Sequence, residues 1–245
     1  MNAADAVCDY ACPTCVGALA MRANALACDI CHVSYPLLRD IPRFVPQENY
    51  AQSFGLQWRR HARAQLDRYS GLSLSHDRLF SVTQWPRDLA GQRVLEVGSG
   101  AGRFTEILLE TGAELYTCDY SDAVEANAHN HAPHPRLRIF QADGNALPFL
   151  PATFDKVVCL GVLQHTPDPA RSFSALVRMV KPGGELAMDV YRLDALALLQ
   201  WKYLLRPFTR RMEARRLYDV VVRTVDVLRP LVRVSRRWLG HAGAR

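Results

Sequence analysis

In the middle of the chain, short continuous runs of apolar residues alternate with segments whose apolar residues have helical spacing. The apolar runs that we interpret as strands cover residues 93–98, 114–119, 137–143, 155–162 and 185–191. The intervening segments that we interpret as helices cover residues 102–110, 121–130 and 168–180. Such alternation is typical of a parallel sheet wound by crossover helices, so we predict an α/β fold with five clear strands.

Helical periodicity also flanks this region. Apolar residues at four-residue spacing predict an amphipathic helix over residues 54–66, and a second helix is expected over 75–89. Lys181–Gly184 should end the helix of 168–180, because Pro182 cannot continue it. Beyond Tyr191 the pattern predicts helices and no final antiparallel pair of strands. Either the sheet stops at five strands, or helices form a substrate-cap insertion and the chain ends before further strands.

Composition places the chain among globular proteins, with 49% hydrophobic and 22% charged residues in 245. The N-terminus lacks the basic and apolar regions of a signal peptide, and Lys202 interrupts the most apolar window, residues 195–205. We therefore expect a cytoplasmic protein without a transmembrane segment.

Positive charge is concentrated at the C-terminus. Twelve Arg and one Lys stand against four acidic residues from Arg192 onward, whereas the preceding residues are net negative and the whole chain is +6. A basic helical segment can contact nucleic acid, an anionic membrane surface or an acidic substrate, or it can simply be a solvated face.

Four of the seven cysteines form two C-x-x-C pairs near the N-terminus: Cys12, Cys15, Cys28 and Cys31. Two such pairs on a short hairpin place four thiolates around a structural Zn²⁺, which would supply folding energy to a very small module. A single pair could instead be redox-active. His32 could replace Cys31 as a ligand, and Cys8 is a less favoured alternative ligand. Cys118 and Cys159 are expected in the core.

A glycine loop follows the first predicted strand, with glycine at 98, 100 and 102. Arg103 stands where a dinucleotide fingerprint needs its third glycine, and Glu96 would repel a pyrophosphate. The acid suits a ligand that carries an ammonium and a sulfonium. Asp119, which ends the second strand, can accept hydrogen bonds from ribose hydroxyls, and Asp143, which ends the third, from an adenine amino group.

Five segments in order resemble the class I S-adenosylmethionine-dependent methyltransferases: VLEVGSGAGRF, CDYS, QADGNALPF, FDKVVCLGVLQHTPDP and LVRMVKPGGELAMDV. The resemblance covers residues 90–192 and implies a Rossmann-like domain over 91–192. It implies cofactor contacts for the glycine loop and the acids at the strand ends. With their loop neighbours, the predicted cofactor-binding residues are Glu96, Gly98, Ser99, Gly100, Gly102, Asp119, Tyr120, Asp143, Gly144, Asn145 and Leu160.

The N-terminal segment, with its ending YP…DIPRFVP, resembles the zinc ribbon that precedes many bacterial methyltransferases. Similar ribbons help to hold RNA in rRNA guanine methyltransferases, and they also occur where the substrate is small or unknown. The predicted domains are therefore a zinc ribbon at 1–46, a helical lid or linker at 47–90, the methyltransferase domain at 91–192 and a basic helical segment at 193–245.

Methyl transfer is a direct displacement, so a base is needed only where the nucleophile must lose a proton. His165, just after the fourth strand, is the candidate base, although it could equally shape its loop. The aromatic residues of 50–58, Trp58 above all, are expected to form a lid over the cofactor.

The sequence GVLQH resembles methyltransferases of quinones, sterols and small metabolites, so we expect a small molecule or a lipid-linked intermediate as the acceptor. One alternative is an RNA methyltransferase that clamps RNA with its ribbon and basic tail. A second alternative is an inactive subunit that binds cofactor beside a catalytic partner.

Overall fold

The computed structural model describes residues 9–46, 58, 61–190, 201–209 and 211–239. Its first sheet is antiparallel, with four strands adjacent in chain order: β1 (Leu19–Arg22), β2 (Ala25–Cys28), β3 (Ser34–Leu38) and β4 (Ile41–Pro42). The turn between β3 and β4 is the pair Arg39 and Asp40, which both have positive φ. Two-residue turns of this kind match the twist of an antiparallel pair and keep the hairpin short.

The second sheet is parallel and has five strands in the described residues. They are β5 (Arg93–Val97), β6 (Glu114–Asp119), β7 (Leu137–Gln141), β8 (Phe154–Cys159) and β9 (Val180–Met188), in the spatial order β7-β6-β5-β8-β9. The Rossmann-like fold predicted from the alternating pattern is thus confirmed. The chain order reverses between β5 and β8, which is where open α/β sheets bind ligands.

Two helices precede these strands, and the others lie between them. They are α1 (Asp67–Ser70), α2 (Leu74–Thr83), α3 (Thr105–Glu110), α4 (Val124–His131), a 3₁₀ helix (Leu163–His165) and α5 (Pro169–Met179). Asp168 begins α5 because its side chain accepts a hydrogen bond from the Arg171 amide, and Pro169 suits the first helical position.

Two predicted boundaries differ most from the structure. The helix expected over 75–89 ends at Thr83, because Gln84 adopts a left-handed conformation two residues before Pro86. The helix predicted over 168–180 ends at Met179, close to the prediction, but the strand that follows begins at Val180 instead of residue 185, so Lys181–Gly184 belongs to β9. A Cβ at Gly184 would lie 2.6 Å from the Asp155 carbonyl oxygen, so only glycine allows the strands to approach.

Residues 61–65 of the helix expected over 54–66 form turns, and Leu66 precedes α1; apart from Trp58, the earlier part lies outside the described residues.

The two sheets share one hydrophobic core. Tyr10 and Phe44 pack against Phe140 of β7, with ring centroids 5.5 Å and 6.3 Å away. The Phe44 amide also donates to the Gln141 carbonyl oxygen at 2.8 Å, next to a parallel bridge between Arg43 and Gln141. Residues 1–191 consequently form one compact unit, in which the predicted ribbon is joined to the parallel sheet.

The second compact unit is Arg192–Arg245, and its described residues form α6 (Trp201–Thr209) and α7 (Ala214–Leu239). These are the helices predicted for the basic tail. In α7 the side chains of Val221, Val225 and Leu228 lie exposed on one stripe. Among the described residues, no helix is both long and apolar enough to cross a membrane.

Candidate functional site

A cavity of 370 Å³ lies at the carboxyl ends of the parallel strands. Most of the residues predicted to bind a cofactor line it, together with the candidate base. These residues are Gly98, Ser99, Gly100, Asp119, Tyr120, Asp143, Gly144, Asn145, Leu160 and His165. The structure thus brings four separate segments of the chain to one wall, as the order of the strands requires.

The glycine loop is held against β6, because the amides of Gly98 and Ser99 both donate to the Cys118 carbonyl oxygen, at 2.8 Å and 3.0 Å. Gly98 has φ +83°, and a Cβ there would overlap Val162. Gly100 has φ +53°, and a Cβ there would lie 2.9 Å from the Trp58 ring. Any larger residue at either glycine would displace the loop or a wall of the cavity.

Asp119 ties this loop to the next one. Its Oδ2 accepts from the Gly100 amide at 2.9 Å, and its Oδ1 accepts from the amide and hydroxyl of Ser121 at 2.9 Å and 2.7 Å. Burial raises the pKa of Asp119, and the three donors oppose that rise. The carboxylate is therefore fixed at the cavity wall by its own loops.

Asp143 and Asn145 form a second fixed corner. Asp143 Oδ1 accepts from the amide and the side-chain nitrogen of Asn145 at 2.8 Å and 2.9 Å. Asn145 Oδ1 in turn accepts from the Ser172 hydroxyl on α5 at 2.9 Å. The loop after β7 is consequently anchored to α5, whose Ser172 also lines the cavity.

Glu96 and Gly102 are not among the residues that line the cavity, so their predicted part in binding the cofactor stays a prediction. Glu96 is buried behind the loop, where its Oε2 accepts from the hydroxyls of Thr105 and Thr117 at 2.5 Å and 2.8 Å. A Cβ at Gly102 would overlap the side chains of Asn127 and His131, so this glycine lets α4 pack closely.

Two arginines on the cavity wall were not predicted as site residues. Arg78 of α2 forms an ion pair with Asp189 at 2.5 Å, and Arg103 Nε donates to the Ser75 hydroxyl at 2.8 Å. The position of Arg103 after the glycine loop was a usable signal. The sequence around Arg78 contained no such signal, because the position of Arg78 at the cavity depends on how α2 packs.

His165 lies on the 3₁₀ helix after β8 and lines the cavity, and Trp58 lines it beside Gly100. The Leu163–His165 turn is closed by a hydrogen bond from the His165 amide to the Val162 carbonyl oxygen at 2.8 Å. Both residues therefore lie at the cavity, but the roles of His165 as a base and of Trp58 as a lid remain predictions.

The four predicted cysteines cluster. Their sulfur atoms all lie within 4.8 Å of one another, with Cys12 and Cys31 3.5 Å apart and Cys15 and Cys28 3.4 Å apart. The two pairs have matching turns, since Val16 N donates to Cys12 O and His32 N donates to Cys28 O. His32 does not belong to the cluster, and Cys8 lies outside the described residues.

Residues 95–188 match the family model described as a methyltransferase domain. Two relatives are named ubiquinone biosynthesis O-methyltransferase. The one from Methylococcus capsulatus is 34% identical over 129 residues, covering 50% of this chain and 54% of the relative; the one from Xylella fastidiosa is 30% identical over 162 residues, covering 63% and 61%. The chain thus spans between half and two thirds of these relatives.

Among solved structures, the chain is similar to one from a complex between the Haloferax volcanii Trm112 methyltransferase activator and a methyltransferase. The TM-score is 0.51 at 21% identity, over 63% of this chain and 66% of that one. A likeness at this identity supports the fold alone.

Glu96 should make stability depend on pH. Burial raises its pKa to about 7, whereas the unfolded chain titrates near its ordinary value of 4.5. The folded state then holds a proton that the unfolded state releases, so the free energy of unfolding should fall as pH rises from 4.5 to 7, by about 3 kcal/mol from this group. In Glu96→Gln, urea unfolding without cofactor should show that much less decline. If the free energy of unfolding declined equally in the wild type and in Glu96→Gln, the raised pKa of the buried Glu96 carboxyl would be contradicted.

Proposed function

We propose that the chain is a class I S-adenosylmethionine-dependent methyltransferase, as the match of residues 95–188 to the methyltransferase domain supports, and that it transfers a methyl group to a small molecule or a lipid-linked intermediate. The observation that carries this proposal is the cavity where the glycine loop meets Asp119 and Asp143. The relatives named for ubiquinone biosynthesis favour an aromatic, apolar acceptor with a hydroxyl group.

The residues of the cavity fit S-adenosylmethionine. Asp119 would accept from the ribose hydroxyls, and the corner of Asp143 and Asn145 would meet the adenine. Glycine at positions 98 and 100 lets the loop adopt positive φ and present its backbone to the cavity. When bound, the cofactor supplies a methyl group that its sulfonium makes electrophilic.

The protein's own task is to position the acceptor and exclude water. A hydroxyl acceptor must lose a proton, and His165, at the cavity wall after β8, would take it. The guanidinium groups of Arg78 and Arg103 would hold an anionic group, such as the carboxylate of the cofactor. The cytoplasmic location expected from the sequence stays a prediction.

The cysteine cluster fits Zn²⁺. Thiolates about 2.3 Å from a tetrahedral Zn²⁺ lie roughly 3.8 Å apart, which is close to the 3.4–3.5 Å of the nearest sulfur pairs. Four cysteines leave no open ligand position, so the metal would be structural.

We expect Cys15→Ser to lose the bound metal, because serine replaces a thiolate with a poor zinc ligand. Elemental analysis of the purified proteins should give one zinc per chain for the wild type and a marked loss for the variant. His32→Ala is the matched control and should keep its zinc, since His32 lies outside the cluster. A His32 variant that loses zinc would show that the ligand set is wrong.

Trp58→Ala should weaken binding of S-adenosylhomocysteine about tenfold, because the indole ring borders the cavity beside Gly100 and would cover the ligand. Calorimetric titration measures the effect. Tyr69→Ala, at an exposed aromatic residue outside the cavity wall, controls for the loss of a large side chain. Unchanged affinity in the Trp58 variant would rule out the lid.

The basic tail would bring the enzyme to a lipid-held acceptor. In α7 the apolar stripe of Val221, Val225 and Leu228 is exposed. By their spacing, Arg216, Arg223 and Arg229 lie on other faces of the helix. A helix of this kind lies in the surface of an anionic membrane, with its apolar face toward the acyl chains.

Labelled methyl transfer tests the function. The purified protein should transfer label from S-adenosylmethionine to extractable small molecules, or to lipids in anionic vesicles, and Asp119→Asn should lose most of that transfer through weaker cofactor binding. RNA offered alongside should remain unlabelled. Label in RNA would favour the RNA methyltransferase instead, and bound cofactor without any transfer would favour the inactive subunit.

A further inference from the structure

We propose that Arg43, in the segment that follows the antiparallel sheet, is a positioning residue for the adenosine side of the cofactor cavity. This inference rests on the proposed function, because it concerns how tightly the cavity binds S-adenosylmethionine. Arg43 does not line the cavity, and it acts through residues that hold the cavity loops.

The Arg43 side chain is buried, with 3% of the residue exposed. One guanidinium nitrogen donates to Gln141 Oε1 at 3.0 Å, and the other donates to Glu125 Oε1 at 3.1 Å. A planar guanidinium has a rigid fork of donors, so these two bonds fix Gln141 and Glu125 relative to each other. A lysine has a single point charge and could not hold both in this geometry.

Gln141 carries the contact to the cavity. With its oxygen held by Arg43, its Nε2 points to the Tyr120 carbonyl oxygen and donates to it at 2.9 Å. Tyr120 lines the cavity and directly follows Asp119, the proposed ribose ligand. The side chain of Arg43 thus sets which way the Gln141 amide faces, and the amide holds the backbone beside Asp119.

Glu125 holds the other end of the same loop. It lies in the first turn of α4, after residues 119–123, and it also accepts from Arg39 at 2.7 Å. Arg39 and Arg43 therefore share this carboxylate, but Arg43 alone of the two donates to Gln141. Arg39 is largely exposed, so its ion pair should contribute little.

The backbone reinforces this arrangement at the second adenosine loop. The Phe44 amide donates to Gln141 O at 2.8 Å, just before Ala142 and Asp143 on the cavity wall. The Ala11 amide, next to Cys12, donates to Pro148 O at 2.8 Å, beyond the corner of Asp143 and Asn145. Both loops that would contact adenosine are thus held from outside the cavity by the N-terminal segment.

Fixed loops lower the cost of binding, because the ligand need not order them. Removal of Arg43 should leave the Gln141 amide free to rotate and the Tyr120 carbonyl without its donor. We expect weaker cofactor affinity at an unchanged chemical step, since the groups around the methyl acceptor lie elsewhere on the cavity wall.

The test compares Arg43→Met with the matched control Arg39→Met, which removes a neighbouring arginine from the same carboxylate. Calorimetric titration with S-adenosylhomocysteine should give a Kd about tenfold higher for R43M and less than twofold higher for R39M. In methyl transfer, R43M should raise KM for S-adenosylmethionine and leave kcat at saturation within twofold. Zinc content and thermal unfolding are measured on each full-length protein at the same time.

Gln141→Glu is the second variant, and it serves if R43M fails to fold. A glutamate still accepts from Arg43, but it cannot donate to the Tyr120 carbonyl, so the affinity should fall as in R43M.

Wild-type affinity in R43M, or in Q141E where R43M does not fold, would overturn the proposal. An equal loss in R43M and R39M would also overturn it, because Glu125 would then carry the effect. If the wild type itself binds no S-adenosylhomocysteine, the proposed function fails first.

Discussion

The hydrogen bond from the Gly100 amide to Asp119 joins the two loops on which the cavity depends. Neither loop has a rigid element of its own at this point, because each is the turn that leaves a strand. The carboxylate is half-buried and partly desolvated, which raises its pKa, so it needs donors, and the donors here are the amides of the glycine loop and of Ser121 together with the Ser121 hydroxyl. The need to satisfy this partly desolvated acid thus shapes the site before any ligand enters.

Much of this could be predicted from the sequence, because it is local. The strands of the parallel sheet follow from short apolar runs, and the loop residues follow from the glycine spacing and the acids at the strand ends. The four cysteines were predictable for the same reason, since the spacing of two C-x-x-C pairs is itself the geometry of the cluster.

Other features depend on packing, which the sequence pattern does not contain. Both faces of β5 are buried, so alternation along the strand could not tell whether Glu96 faced the ligand or the hydroxyl groups of Thr105 and Thr117 behind the loop. Arg78 reaches the cavity only because α2 packs over it. The pairing of Arg43 with Gln141 joins residues 98 positions apart, and no motif marks either of them.

The placement of Phe44 against β7 has a consequence for self-association. β7 is an outermost strand of the parallel sheet, and the strand sequence LRIFQ is mostly apolar. An uncovered edge of this kind can recruit another chain through its unpaired amides. Here the backbone after β4 occupies part of that edge through the Phe44 amide and the bridge between Arg43 and Gln141, so the N-terminal segment also limits the strand pairing by which β7 could recruit another chain.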